Sequence, residues 1–266
     1  MNSARQPNDY APAEIMAAFL SRDLKDGEMG VFGTFSQIPW VACQMAKATH
    51  APNMSFVCGP SGAINSKLSR LMWSVSDNRM HIGAESRITL DWVTDMQGNP
   101  TLIDFGFYGG FQIDQYGNLN MGYIGDPKKP KFRGPGTVGT MATAWLNRVY
   151  LFTQSHTPRL FVDKVDFISG PGFIDGPKGR ENAGCPERSE GPRYIVTPIC
   201  VFDFDEETKR ARLKSVHPGH TVEEVKSKTG FKPIIPSKVP ETQPPTGDEL
   251  AFLRDFDPEG ILPRLC

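Results

Sequence analysis

The chain of 266 residues has no run approaching the roughly 18 consecutive apolar residues that a membrane helix requires, which excludes a helical membrane protein. It has almost no net charge, −1 from 29 basic and 30 acidic residues, and no basic stripe, so the electrostatic footprint of a nucleic-acid binder is missing. Its five cysteines, Cys43, Cys58, Cys185, Cys200 and Cys266, are odd in number and scattered, without a Cys-x-x-Cys pair. That pattern argues against a disulfide framework and against a cysteine zinc site, and predicts reduced thiols. The first ten residues are polar and lack the apolar core of a signal peptide. They read as a loose tail over 1–10, with cytoplasmic residence as the default. No internal repeat is visible.

What is there is the composition of a globular chain, 39% hydrophobic and 22% charged, long enough to bury a substantial core. Pro12 at a first helical position, with Ile15, Phe19 and Leu20 in the following turns and Gly27 beyond, predicts a helix over Ala13 to Lys25. A strand over Met29 to Phe35, helical spacing over Val41 to Thr49 and an apolar run from Asn53 to Val57 follow, the last stopping at Cys58-Gly-Pro-Ser-Gly62. Leu102 to Tyr108 and Val149 to Thr153 read as buried strands. Tyr194 to Phe204 and Arg210 to Val216, joined by Asp205 to Thr208, predict a hairpin, and Thr221 and Thr246 each open a capping box with Glu three residues on. Five prolines between Pro233 and Pro245 favour an extended tether. The expected organisation is a single domain over 11–266 with a C-terminal arm from about residue 230.

Two glycine-rich stretches stand out, Gly109-Gly-Phe-Gln-Ile-Asp-Gln-Tyr-Gly-Asn-Leu-Asn120 and Gly134-Pro-Gly-Thr-Val-Gly139. Gly117 and Asn118 tolerate positive φ and can reverse the chain. Together with Gly125-Asp126, Asp163-Lys-Val-Asp166, Pro171-Gly-Phe-Ile-Asp-Gly-Pro-Lys-Gly-Arg-Glu181 and Phe204-Asp-Glu-Glu-Thr-Lys-Arg210, in that order and spacing, they resemble the beta subunit of CoA-transferase family I, in the pattern of the glutaconate CoA-transferases. The resemblance runs from about Asp23 to the C-terminal helix. It implies an α/β fold, an open mostly parallel sheet with flanking helices, here with a C-terminal β-hairpin and helical arm. It also implies an alpha-type partner subunit, an acyl-CoA thioester and a carboxylic acid as substrates, no tightly bound cofactor, and no nucleic-acid or membrane partner.

The family's nucleophile is a glutamate whose carboxylate forms an acyl-glutamyl anhydride and then an enzyme-CoA thioester. The matching position holds Cys58, and no acidic residue occurs between Asn53 and Ser76. A cysteine would give an acyl-cysteine, and CoA returning to that sulfur would have to form a disulfide, a different oxidation state. Ordinary transfer through Cys58 therefore fails, and hydrolysis, ring opening or decarboxylation is favoured. Cys58 is a nucleophile if its pKa is lowered, an inert small residue making room for substrate, or a buried thiol without a role. A non-catalytic subunit that completes a partner's active site is the alternative to an enzyme subunit.

The resemblance places Gly59, Gly109, Gly110, Gly134, Gly136 and Thr137 against the CoA thioester, with the amides of Gly136 and Thr137 as oxyanion donors. Thr137 replaces the second of the family's paired glycines, and Pro135 removes one donor. Asp114, Tyr116 and Asn118 read as turn residues. Arg180 and Glu181 read as interface or salt-bridge residues, Arg180 also as an anchor for a substrate carboxylate. His217 and His220 are too loosely spaced for a metal pair and read as the loop before a helix.

Overall fold

The computed structural model describes residues 9–99, 101–137 and 139–266, so residues 1–8 of the expected tail lie outside the described residues. Two compact units are present, one formed by the chain up to Val93 together with Gln243–Cys266, the other by Thr94–Thr242. Among the described residues no helix is long and apolar enough to cross a membrane.

The first unit is built on a β-α-β crossover. Helix α1 (Pro12–Asp23) starts at its proline, whose missing N–H is harmless there, and the Glu14 side chain returns to the Ala11 amide. Strand β1 (Met29–Phe32) ends at Phe32, before Gly33 and three residues short of the predicted end at Phe35. Helix α2 (Gln37–Thr49) begins four residues earlier than the spacing predicts, because Pro39 sits in the first turn, where it needs no intrahelical partner. Strand β2 (Ser55–Cys58) pairs in parallel with β1, setting Phe32 opposite Cys58, and the short strands β3 (Ala63–Ile64) and β4 (Ser86–Arg87) continue antiparallel. Helix α3 (Leu90–Gly98) leaves this unit, and its last turn counts with the next.

The second unit holds β5 (Phe105–Tyr108), the hairpins β6–β7 (Gln112–Ile113, Leu119–Asn120) and β8–β9 (Tyr123–Asp126, Lys129–Arg133), and β10 (Arg148–Phe152). After the four-residue helix α4 (Gly179–Asn182) come β11 (Pro192–Val196), β12 (Cys200–Phe204) and β13 (Ala211–Val216). β5, β10 and β11 run parallel, and β12 and β13 close the edge antiparallel. Every residue of β5 and β10 is buried, as a parallel strand covered on both faces requires. The predicted Tyr194–Phe204 strand is two strands, since Pro198 cannot donate to the ladder and the chain turns there.

Helix α5 (Val222–Lys228) keeps half of its expected capping box: the Thr221 hydroxyl accepts the Glu224 amide, while the Glu224 carboxylate pairs with His220 and Lys228. The proline tether lies along β13, with Ile234 and Glu241 bridged to Arg212 and Val216. Helix α6 (Gly247–Phe256) carries the full Thr246–Glu249 box and belongs to the first unit. There Phe256 meets Trp40 of α2 edge-on at 5.3 Å, and Glu249 accepts from Arg22 of α1 at 2.8 Å.

Candidate functional site

In the first unit, Cys58 ends β2 at the carboxyl side of the parallel β1–β2 pair, where a ligand crevice is expected in an open α/β sheet. The loop after it is tight. The Gly59 amide donates to Phe32 O at 3.0 Å, a Cβ at Gly59 would come within 3.1 Å of that oxygen, and the Gly62 amide closes back on Cys58 O. The Cys58 side chain is fully buried, and its Sγ donates to Val75 O at 2.9 Å. Burial pushes the thiol up to about 11, and the opposing influence is hydrogen bonding with Ser61 rather than a base. This environment favours the protonated thiol, the weaker nucleophile.

The carbonyl that Cys58 holds belongs to a segment, Leu71–Val75, suspended from three elements of the same unit. The Leu71 amide donates to Phe256 O at 2.6 Å, the Gln37 side-chain amide donates to Trp73 O, and Cys58 takes Val75 O. Neither Gln37 nor this segment carries a local sequence signature, because the partners are separated by 17 to 185 residues along the chain.

In the second unit, Gly109 and Gly110 follow β5 directly, at the carboxyl end of the parallel β5–β10 pair. A Cβ at Gly109 would come to 3.1 Å from Phe152 O, and one at Gly110 to 2.9 Å from Asn120 O, so backbones pass close here. Gly136 has φ +94° and open space where a Cβ would be, consistent with a turn that only glycine adopts without strain.

The amides of that run are not free as the sequence led us to expect. The Gly134 amide donates to Gly122 O at 2.8 Å and the Gly136 amide to Met121 O at 3.1 Å. Of the two expected oxyanion donors, the Gly136 amide is thus engaged, which leaves that of the exposed Thr137. A third element faces the end of the run: Gln97 of α3 accepts the Tyr108 hydroxyl at 2.9 Å, and its Oε1 lies 3.3 Å from the position of a Cβ on Gly139.

Asp114 behaves as a turn residue. Its Oδ1 accepts the amides of Tyr116 and Asn118 at 3.0 and 3.1 Å, and burial raises its carboxyl above the usual range despite those bonds. Arg180 departs from its expected role as a substrate anchor. Its buried guanidinium donates to Gly172 O (2.8 Å), Thr143 O (3.2 Å), Ala144 O (3.0 Å) and the Ser189 hydroxyl, which fastens the 171–190 loop to the 3₁₀ turn Thr140–Ala144. His217 is buried, its ring bonded to Thr242 Oγ1 and Thr197 O, while His220 pairs with Glu224 at 2.9 Å.

The Coenzyme A transferase family matches residues 13–228. This chain belongs to that family. It is 32% identical over 256 residues to the beta subunit of glutaconate CoA-transferase from Acidaminococcus fermentans, covering 94% of each chain. It is 32% identical over 248 residues to the beta subunit of 3-oxoadipate CoA-transferase from Pseudomonas knackmussii, covering 93% of this chain and 94% of that one. A shorter match, 30% over 166 residues, is to the cholesterol ring-cleaving hydrolase IpdB subunit of Rhodococcus jostii, covering 59% of this chain and 60% of the relative.

The crystal structure of the Acidaminococcus fermentans glutaconate coenzyme A-transferase resembles the chain with a TM-score of 0.85 at 30% identity, over 96% of this chain and 98% of that one. The decarboxylase AibA/AibB shares the family fold, with a TM-score of 0.83 at 24% identity over 97% and 99%. The mixed α/β sheet flanked by helices is therefore that of the coenzyme A transferases, as the motifs imply.

Proposed function

We propose that the chain is the beta-type subunit of a two-subunit cytoplasmic enzyme that cleaves an acyl-CoA thioester, or decarboxylates or ring-opens its acyl part, without an intermediate on Cys58. The observation that carries this reading is the thiol itself, buried and donating to Val75 O where a glutamate nucleophile would be needed. Cys58 then acts as a small donor that fixes the Leu71–Val75 segment and leaves room beside it. The substrate class draws on the relatives: glutaconate and 3-oxoadipate are both dicarboxylates, so an acyl-CoA with a second carboxyl or a keto group fits. A hydrolase and a decarboxylase with the same fold support chemistry other than transfer. Coenzyme A enters as part of the substrate, with no tightly bound cofactor, and the acid-base groups come from the alpha-type partner.

The test uses the chain co-purified with its alpha-type partner and a panel of dicarboxylic acyl-CoA thioesters. Turnover is expected without any added carboxylate acceptor. Cys58→Ala is expected to keep that turnover while losing about 1 kcal/mol of stability, the worth of one hydrogen bond. Loss of a true nucleophile would instead cost many orders of magnitude, roughly 10⁶-fold for a serine protease. Exchange of labelled acetate into acetyl-CoA by the wild type, abolished in Cys58→Ala, would overturn the proposal. A partner that turns over equally well alone would make this chain a structural subunit.

A further inference from the structure

The Gly134 and Gly136 amides are engaged with their own backbone, which leaves the Thr137 amide of the two expected donors, and the acyl oxygen of a bound thioester has a second lone pair for a donor from elsewhere in the second unit. We propose that Gln97 supplies it: its carboxamide N–H₂ binds an acyl oxygen of the acyl-CoA, and Tyr108 is the positioning residue that aims it. The inference rests on the acyl-CoA reading above and assigns one contact within it.

A carboxamide can present either its oxygen or its nitrogen, and which one faces a ligand depends on what fixes the other. Here Tyr108, the last residue of β5 and buried, donates its hydroxyl to Gln97 Oε1 at 2.9 Å. The tyrosine has no lower-lying ionised state to offer, since burial raises its phenol. The oxygen of Gln97 is thereby committed, and the amide plane is set. Its Nε2 makes no hydrogen bond among the described residues, and Gln97 is only half-buried, so the donor is reachable. The same carboxamide borders the glycine run, with Oε1 3.3 Å and Nε2 4.0 Å from where a Gly139 Cβ would be. Tyr108 leads directly into Gly109-Gly110, the half-exposed pair at the strand end. An uncommitted donor, held in orientation by a buried hydroxyl and flanked by both glycine segments, has the geometry of an acyl-oxygen contact.

Three variants of the two-subunit complex separate this role from a structural one, with binding of acetyl-CoA, glutaryl-CoA and free CoA measured by calorimetry. Gln97→Leu is expected to weaken the acyl-CoA thioesters about tenfold, the loss of one good hydrogen bond, and to leave free CoA unchanged because it lacks the acyl oxygen. Gln97→Glu keeps the oxygen that accepts from Tyr108 but replaces the donor by a second acceptor. It is expected to bind the thioesters at least as poorly as Gln97→Leu, whereas a residue needed only to satisfy Tyr108 would leave binding intact. Tyr108→Phe is expected to fall between wild type and Gln97→Leu, and the double variant to be no worse than Gln97→Leu. A loss with both thioesters identifies the thioester carbonyl as the acceptor, and a loss with glutaryl-CoA alone identifies the distal carboxylate. Unchanged affinities in Gln97→Leu and Gln97→Glu would overturn this inference while leaving the acyl-CoA reading in place. A wild-type complex that binds neither the thioesters nor CoA would overturn both.

Discussion

Asn118→Leu is expected to remove about 3 to 5 kcal/mol of stability, the largest single-site loss in the second unit, because the side chain joins two segments through five hydrogen bonds. Asn118 Nδ2 donates to both Asp114 carboxylate oxygens at 3.1 and 2.9 Å and to Ile174 O at 2.8 Å. Its Oδ1 accepts the amides of Gly172 and Ile174 at 2.9 and 3.1 Å. Leucine fills nearly the same volume but leaves the Gly172 and Ile174 amides and the Ile174 carbonyl without this partner, while Asp114 keeps only backbone amides, among them those of Tyr116 and Asn118, so the loss is polar rather than a cavity effect.

A second consequence of that substitution is local. Ile174 is held at φ +64°, a left-handed conformation that a β-branched residue adopts only under constraint, at a cost on the order of 1 to 3 kcal/mol. Asn118 bonds both its amide and its carbonyl. Without those bonds the strain is free to relax, so the 171–181 loop is expected to open before the sheet does. Urea denaturation followed by limited proteolysis checks both statements: a loss under 1 kcal/mol, or cleavage that begins outside this loop, would refute the stitching role.

The same region shows what a sequence reader can and cannot see. Asp114-Gln-Tyr-Gly-Asn118 was legible as a turn because Asp114 bonds amides two and four residues away, and Gly117 with φ +70° is where a turn needs it. Thr246 and Glu249 were legible for the same reason, being three residues apart. Arg180 was not. It reads as an interface or salt-bridge residue, or an anchor for a substrate carboxylate, yet its acceptors are the Ser189 hydroxyl and carbonyls up to 37 residues away, and carbonyls leave no mark in a sequence. The amides of Gly134 and Gly136 follow the same rule: glycine advertises an open backbone, while the Gly122 and Met121 oxygens that fill it are set by the β8–β9 hairpin.

Cys58 lies between these cases. By resemblance the sequence puts a thiol where the family has its carboxylate, and a thiol itself cannot form the acyl-glutamyl anhydride. What the sulfur does instead depends on Val75, 17 residues on, and on burial, neither of which periodicity reports. Sheet topology is likewise a long-range property. The β1–α2–β2 crossover follows from alternation of strand and helix signals, whereas the pairing of β5 with β10, 43 residues apart in register, spans two hairpins that the spacing does not order.

Acidification from pH 7.5 to pH 5 is expected to destabilise the second unit by about 4 kcal/mol, through two histidines buried in their neutral form. His156 is bonded to neutral groups, Thr197 Oγ1 at 3.0 Å, Thr229 Oγ1 at 2.9 Å and, more weakly, Cys200 Sγ at 3.8 Å, and stacks near Phe161 and Phe202. Burial lowers it from 6.5 to about 3, helped by Lys228 and opposed by Glu224. His217 is lowered to about 4, again by burial first, against the Thr197 carbonyl bond that favours the charged ring. For a histidine with a depressed folded pKa, the unfolded chain takes up the proton first, at about 6.5. Stability from these groups is therefore complete above that value and falls as the pH drops toward 4 and 3. At pH 5 each ring contributes a loss of about 2 kcal/mol, since the unfolded form is almost fully protonated and the folded form is not. Carboxylates held low by their partners, such as Asp77 and Glu224 at about 2, titrate below this window, and acids raised by burial, Asp114 and Asp257, act in the opposite sense. The slope of unfolding free energy against pH between 6 and 5 should correspond to an uptake of about two protons. Replacing His217 by Gln should halve that slope. A slope of less than one proton in the wild type, or one unaltered in the variant, would show that the acid sensitivity lies elsewhere.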